Sequence, residues 1–138
     1  MQSDSKIPSE WYNFAKRDFG AAKLLLSEDR YMAVAGLLLQ QAVEKYLKGY
    51  LLSKGWQLRK THELGVLVKE AISHESEFSK YVDACLKITD FYSENRYPLY
   101  AISPVTRAEL EELFAQAESL AALIQARSDS EPEADESA

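Results

Sequence analysis

Cysteine and histidine are scarce in this sequence, and their scarcity limits the chemistry that it can support. The 138 residues include one cysteine, Cys85, and two histidines, His62 and His74. One cysteine cannot form an internal disulfide, and these three residues cannot complete a Cys/His zinc site. We therefore expect no disulfide scaffold, no metal site and no cofactor. Such cysteine usage is typical of a protein of the reducing cytoplasm.

Long hydrophobic runs are also missing. The longest uninterrupted apolar stretch, Met32–Leu39, is far shorter than the roughly 20 residues that a membrane-spanning helix requires. The first eight residues contain no apolar segment of the kind found in a signal peptide. The sequence therefore predicts a soluble cytoplasmic protein that does not interact with a membrane.

Positive charge is in deficit, but the deficit is concentrated at one end. The formal net charge is -6, from 16 basic and 22 acidic residues. The segment Ser128–Ala138 carries five acidic residues and no basic one, so the remainder has 16 basic against 17 acidic residues. This segment is too poor in apolar residues to fold, and we predict that residues 128–138 form a disordered acidic tail. A near-neutral folded part leaves nucleic acid open as a partner.

Glycine and proline are few, at five and four residues. Between them the apolar residues recur at spacings of three and four, the period of an amphipathic helix, and no alternating strand pattern is present. The spacing predicts an all-α fold, an antiparallel up-and-down bundle of about five helices. We expect residues 1–8 to form an N-terminal arm and residues 9–127 to form the bundle.

Local signals predict where these helices begin and end. Ser9 is expected to cap the first helix, Thr61 the third, and Thr106 the last, where Glu109 completes a capping box. The second helix, about residues 30–53, is apolar almost all round and is expected to be the centre of the bundle. The fourth is expected to run as one helix from about Phe78, and to end before Pro98.

The second helix has one conspicuous polar stripe. The positions of Gln41, Glu44, Lys45 and Lys48 are i, i+3, i+4 and i+7, so the four side chains emerge on one face. One interpretation is a solvated face with an ordinary Glu44–Lys48 ion pair. The other is that the stripe lines a cleft or a subunit interface, because the remaining faces of the helix are needed for the core.

Two further features bear on this stripe. The stretch from Glu44 to Lys60 holds five basic residues and one acidic residue, a local excess that would attract phosphate groups if the fold clusters it. Asp18 lies on the apolar face of the first helix, where an unpaired carboxylate is costly. We expect it to pair structurally with a Lys, Arg or Tyr of the bundle, with Arg96 as one candidate. The functional alternative is that Asp18, Glu44 and Arg96 form one polar cluster in the cleft.

The central run LQQAVEKYLK, residues 39–48, is followed after a short loop by KTHEL, residues 60–64. This pair of motifs resembles the HEPN domain family of prokaryotes. The pattern of Trp11, Ala15, Asp18 and Ala22 is similar to the opening helix of that family, and the run NRYP, residues 95–98, is similar to the segment after its fourth helix. The resemblance covers about residues 9–127.

The resemblance implies a helical bundle that commonly forms homodimers and is often encoded beside a minimal nucleotidyltransferase in a toxin–antitoxin pair. Catalytic members of the family are metal-independent ribonucleases with an Arg followed four to six residues later by His. Arg96 matches the Arg, but positions 100–102 are Tyr, Ala and Ile, so the His is missing. A ribonuclease would have to recruit His62 or His74 for proton transfer, because Arg96 can stabilise charge but cannot exchange protons at pH 7. The candidate catalytic residues are therefore Arg96 and His62.

These observations favour a non-catalytic, dimeric HEPN-like binding module that recognises a nucleotide or a partner nucleotidyltransferase, and RNA stays open as a partner. The alternatives are a metal-independent ribonuclease toxin and a dimerisation scaffold without a ligand. The expected ligand-binding cleft consists of six residues: Gln41, Glu44, Lys45, Lys48, Arg96 and Tyr97.

Overall fold

The structure, a computed structural model, describes residues 5–29, 31–92 and 106–129. These residues contain five α-helices: α1 (Pro8–Ser27), α2 (Met32–Ser53), α3 (Leu64–Ile72), α4 (Val82–Thr89) and α5 (Arg107–Arg127). Two 3-10 helices, Ser76–Tyr81 and Asp90–Tyr92, flank α4. The described part of the chain has no β-strand, and the predicted all-α bundle is confirmed.

Helix α2 is the centre of the bundle, as predicted, because α1, α3, α4 and α5 all pack against it. Its buried side chains point to several sides, with Leu39, Tyr46, Leu47 and Tyr50 each at most 6% exposed. Gly55 ends the helix in the left-handed region at φ 85, and its amide N–H donates to the carbonyl of Leu52.

Helices α1 and α2 form an antiparallel hairpin with a tight connection. The connection includes two non-glycine residues at positive φ, Asp29 and Tyr31. On its other side α1 meets α5, where the rings of Phe19 and Phe114 stack with their centroids 5.6 Å apart. No helix among the described residues has the length and hydropathy needed to cross a membrane.

Two predicted N-caps are wrong. The first helix begins at Pro8 with Ile7, not Ser9, in the N-cap position, because a proline in the first turn needs no N–H partner and already has a helical φ. The third helix begins at Leu64 rather than after Thr61, whose hydroxyl accepts from the amide of Glu63. The amide of Leu64 instead donates to Oγ1 of Thr89 from α4, at 2.8 Å.

The fourth predicted helix is also corrected. It is interrupted, since only residues 82–89 are α-helical and the turns on both sides are 3-10. Its apolar stripe is nevertheless buried as expected, at Phe78, Tyr81, Cys85 and Ile88. Pro98, the predicted stop, lies outside the described residues.

The last helix is confirmed together with its cap. Oγ1 of Thr106 accepts from the amide of Glu109 at 3.1 Å, and the amide of Thr106 donates to the Glu109 carboxylate at 3.0 Å. After α5, Ser128 bonds to the hydroxyl of Tyr12, and Asp129 bonds to Lys54 at the end of α2. The rest of the predicted tail, residues 130–138, and residues 1–4 of the predicted arm lie outside the described residues.

Candidate functional site

A cluster of polar side chains is buried around the carboxylate of Glu44, which is only 8% exposed. Gln40 donates to Oε1 from Nε2 at 3.0 Å, and Lys48 donates to Oε2 from Nζ at 2.9 Å. Nδ1 of His62 lies 3.1 Å from both carboxylate oxygens. We call these four residues the Glu44 cluster.

Helical spacing explains three of the four positions. Gln40, Glu44 and Lys48 follow one another at intervals of four on α2, so their side chains stack along one line of the helix. His62 comes from the segment between α2 and α3, and its carbonyl accepts a second hydrogen bond from Nε2 of Gln40, at 3.1 Å. The cluster therefore attaches this segment to the central helix.

The charges of the cluster are balanced within it. The Lys48 side chain, 4% exposed as a residue, compensates the Glu44 carboxylate, and its ammonium also lies 5.6 Å from the centroid of the Trp11 ring. A buried ion pair of this kind is stable only when further hydrogen bonds satisfy its remaining polar atoms. Gln40 and His62 supply those bonds to Glu44.

His62 is the surface member of the cluster, because its side chain is 48% exposed while that of Glu44 is 10% exposed. When the imidazole is neutral, the carboxylate favours the tautomer with the proton on Nδ1. Nε2 is then an acceptor, and an imidazole oriented in this way by a carboxylate can take up or release a proton at Nε2. The described residues include no group of three His, Cys, Asp or Glu side chains suited to bind a metal ion.

Lys45 and Asp18 form a second ion pair, which joins α2 to α1. The pair is a direct hydrogen bond from Nζ to Oδ2, and the two side chains are 15% and 20% exposed. Asp18 thus has a basic partner from the neighbouring helix. Arg96, the partner suggested by the sequence, lies outside the described residues, as does Tyr97.

The predicted polar stripe divides into two parts. Gln41 and Lys45 are half-buried at the surface of α2, whereas Glu44 and Lys48 are buried. The interpretation of the stripe as a wholly solvated face is therefore wrong. Gln41 and Lys45, on the face of α2 next to Glu44 and Lys48, are only partly exposed.

Most of the predicted basic excess is compensated by acidic partners. Four of the five basic side chains between positions 45 and 60 lie within 4.0 Å of a carboxylate, and Lys60 is exposed. Burial and pairing therefore leave little of the local positive charge available to phosphate groups. The four pairs are Lys45–Asp18, Lys48–Glu44, Lys54–Asp129 and Arg59–Glu70.

Sequence reasoning missed Gln40, which is fully buried at 0% exposure. Its amide N–H groups are directed at the two acceptors on Glu44 and His62, which fixes the orientation of the amide. Its Oε1 has no hydrogen-bond partner among the described residues. The signal was the interval of four between Gln40, Glu44 and Lys48 in a helix whose other polar residues in this stretch are Gln41 and Lys45.

Comparisons with known proteins agree on one family. The family model described as the HEPN domain matches residues 8–127. Among solved structures, the crystal structure of an archaeal HEPN homologue is similar to this chain, with a TM-score of 0.72 and 23% sequence identity. The similarity covers 89% of this chain and 98% of the archaeal chain. A search of curated proteins finds no match. The match over nearly the whole folded part shows that the chain belongs to the HEPN domain family.

Proposed function

We propose that this HEPN domain is a non-catalytic, homodimeric binding module that recognises a nucleotide on the surface beside the Glu44 cluster. The observation that carries the proposal is the anchoring of His62 by Glu44, which holds a half-exposed imidazole in a fixed orientation against α2. A preorganised side chain loses little entropy on binding, which favours recognition of a small ligand.

The residues around His62 suit a nucleotide. The half-buried amide of Gln41 offers both donors and an acceptor for the edge of a base. The half-exposed imidazole offers a ring face on which a base can stack. Lys60, exposed on the same segment as His62, adds one positive charge. Arg96 and Tyr97, which the sequence also assigned to the cleft, lie outside the described residues.

The pairing of the basic residues favours a mononucleotide over RNA. Strong binding of a nucleic-acid backbone requires several basic side chains that are available to neutralise phosphates. Four of the five cations between positions 45 and 60 are already paired with carboxylates. A single nucleotide needs only one or two charged contacts, which the surface can supply.

Titration calorimetry with ATP, GTP, CTP and UTP tests the proposal at low salt. We expect at least one nucleotide to bind, and we expect Gln41→Ala to weaken that binding about tenfold through the loss of one good hydrogen bond. Gln125→Ala is the matched control, because Gln125 is an exposed glutamine on α5. No binding by the unchanged protein, or equal binding by the Gln41 variant, contradicts the proposal.

The family resemblance also supports a protein partner, a minimal nucleotidyltransferase in a toxin–antitoxin-type pair. A nucleotidyltransferase binds a nucleotide as its substrate. If it docks on the surface beside the Glu44 cluster, its nucleotide would reach the site proposed here, so both proposals concern the same surface. Sequencing of the neighbouring reading frames, and co-expression of the chain with any minimal nucleotidyltransferase encoded there, followed by co-purification, test this association. Recovery of the tagged chain alone contradicts the association with the transferase. If the protein binds neither a nucleotide nor the transferase, the scaffold alternative is favoured.

A ribonuclease is the second candidate, and the His62–Glu44 contact favours it. A carboxylate-held imidazole is a common general base, and it would take the proton of a 2′-hydroxyl as that oxygen attacks the adjacent phosphorus. The bond from phosphorus to the 5′-oxygen of the next nucleotide would break, leaving a 2′,3′-cyclic phosphate, and the departing oxygen would take a proton from water. Incubation of labelled RNA with the protein tests this activity, with His62→Ala as the variant. His74→Ala is the control, since His74 lies at the far end of α3. RNA that stays intact contradicts the ribonuclease.

A further inference from the structure

The segment that joins α2 to α3 is basic. Residues 54–60 contain three cations, Lys54, Arg59 and Lys60, and no acidic residue. Arg59 makes only a long ion pair with Glu70, at 3.5 Å, and its side chain is 54% exposed. Lys60 is exposed and forms no ion pair with any residue that the structure describes. We call residues 54–60 the basic segment.

The basic segment returns along α2 from the end of that helix to the Glu44 cluster. It follows Ser53, the last residue of α2, and leads to His62, which is bonded to Glu44. Glu44 lies nine residues before Ser53, so a rise of about 1.5 Å per residue places the two ends of this path on the order of 14 Å apart. Arg59 and Lys60 belong to the His62 end of the path.

The last described residues of the chain are attached to the other end of the path. The hydroxyl groups of Ser128 and Tyr12 hydrogen-bond at 2.6 Å, and the amide of Asp129 donates to Oγ of Ser53 at 3.3 Å. The carboxylate of Asp129 accepts from Nζ of Lys54 at 2.8 Å. The acidic stretch thus begins with a carboxylate that already binds the first cation of the basic segment.

We infer that the basic segment is the docking surface for the acidic residues 130–138 of the same chain. Four carboxylates follow Asp129 in the sequence, with no basic residue among them. Opposite charges attract one another within about 10 Å at ordinary salt, and the Lys54–Asp129 pair keeps the two stretches at a high effective concentration. The four carboxylates are Glu131, Glu133, Asp135 and Glu136.

The length of chain after Asp129 is sufficient for this contact. An extended chain spans at most about 3.3 to 3.6 Å per residue, so Glu133, four residues after Asp129, can lie about 13 Å from it. That reach matches the path of about 14 Å between the end of α2 and the Glu44 cluster. Glu133 and Asp135 can therefore meet the two exposed cations of the basic segment while Asp129 stays bonded.

A cation closer to Asp129 in the sequence is already compensated. Arg127 donates to two carboxylates, at 3.2 and 2.6 Å. Arg59 and Lys60 are compensated less, because one has a long ion pair and the other has none within the described ranges. A carboxylate gains most from a cation that has no close partner. The basic segment is therefore the better match for residues 130–138.

The contact would regulate the proposed ligand site, and this consequence rests on the proposed function. Lys60 is the cation that the surface beside His62 offers to a nucleotide. A carboxylate of residues 130–138 that binds Lys60 would compete with the phosphate of the nucleotide for the same charge. The acidic residues would weaken nucleotide binding at low salt and have little effect at high salt, where the attraction is screened.

Two-dimensional NMR of the full chain tests the contact without any ligand. The tail variant changes the four acidic residues after Asp129 to amides, and the control variant removes the same number of charges at the opposite end of α2 and the start of α5. We expect the amide signals of Arg59 and Lys60 to shift in the tail variant only. Salt at about 0.5 M should shift the same signals of the unchanged protein in the same direction. The tail changes are Glu131→Gln, Glu133→Gln, Asp135→Asn and Glu136→Gln, and the control changes are Glu28→Gln, Asp29→Asn, Glu111→Gln and Glu112→Gln.

The NMR outcomes decide whether the acidic residues dock. Unchanged signals of Arg59 and Lys60 in the tail variant overturn the inference, and an equal shift in the control variant overturns it as well, because net charge alone would then explain the effect. Shifts confined to the tail variant and reproduced by salt support the docking.

Calorimetry tests the regulation. We expect the tail variant to bind a nucleotide about three- to tenfold more tightly than the unchanged chain at low salt, and equally well at high salt. Equal affinities at low salt overturn the competition. If no nucleotide binds either protein, the proposed function fails, and inorganic triphosphate replaces the nucleotide as the competing anion. The NMR result does not depend on a nucleotide, so the two failures can be told apart.

Discussion

Nδ1 of His62 lies 3.1 Å from both carboxylate oxygens of Glu44, and this contact joins the segment before α3 to the central helix. A carboxylate that is 10% exposed thus has a surface histidine on one side and the buried ammonium of Lys48 on the other. The same three side chains stabilise the bundle, and only His62 reaches the surface of the proposed ligand site. Changes at Glu44 should therefore affect stability first.

We expect Glu44→Gln to lower the free energy of unfolding by about 3 to 5 kcal/mol. Glutamine keeps the size of the side chain but leaves the ammonium of Lys48, 4% exposed, without a compensating charge. Urea denaturation followed by circular dichroism measures the change. Glu112→Gln is the control, because Glu112 is exposed on α5 and its loss should change stability by less than about 0.5 kcal/mol. Equal stabilities of the two variants would contradict the role of the ion pair.

The sequence predicted those features of the bundle that depend on short-range patterns. Three such features are the central position of α2, whose own residues are apolar on most sides, the end of α2 at Gly55, and the capping box of Thr106 with Glu109. Each follows from residues within a few positions of one another. Such features follow from helical spacing and cap chemistry alone. They required no knowledge of how the helices pack.

Features that depend on packing between elements were not predictable in the same way. The cap of α3 comes from Thr89, 25 positions away, and the partner of Asp18 is Lys45, 27 positions away. Helical spacing places these groups on a face but does not select the neighbour that each one meets. For the same reason, the sequence could group Glu44 with Lys48 but could not bring His62 to them.

Two glycines provide a test of helix packing. We expect Gly49→Ala to destabilise the protein by about 1 to 3 kcal/mol, because the new Cβ would lie 2.5 Å from Cε1 of Tyr12. Gly20→Ala is the matched control in α1, where nothing lies within 4 Å of the added Cβ. This control should stabilise the protein by roughly 0.5 to 1 kcal/mol through helix propensity. Thermal unfolding of both variants measures the contrast, and a shift of the same sign in both would refute the close α1–α2 contact.

The capping box of α5 makes part of the stability dependent on pH. Hydrogen bonds from the backbone amide and then the side chain of Thr106 hold the pKa of Glu109 below its ordinary value of 4.5. A carboxylate with a lowered pKa stabilises the folded state above that ordinary value, and the contribution is lost as the pH falls through the lowered pKa. The stability gap between the unchanged protein and Glu109→Ala should therefore be present at neutral pH and shrink below pH 4.5.

Denaturant titrations at several pH values measure this gap. Thr106→Ala removes the other half of the box and should cost about 1 kcal/mol at neutral pH. Glu112→Ala, measured in parallel, reports the effect of losing a carboxylate of α5 that takes no part in the cap. A gap for Glu109→Ala that stays constant from pH 7 to acid, or that grows there, would show that the box is not formed in solution.

Cys85 offers an independent measure of these stabilities. Burial raises the pKa of its thiol to about 12, so the native protein holds almost no thiolate at pH 8. We expect iodoacetamide to label Cys85 only when the core opens, at a rate at least about 1,000-fold below that of the urea-unfolded chain.

The same labelling measures the effect of Glu44→Gln. Because 1.4 kcal/mol corresponds to a factor of ten, Cys85 of the Glu44→Gln variant should be labelled about 100-fold faster than that of the unchanged protein if the substitution costs near 3 kcal/mol. Labelling of the native protein as fast as the unfolded chain would contradict the burial of Cys85, and equal rates for the two native proteins would contradict the stabilising role of Glu44.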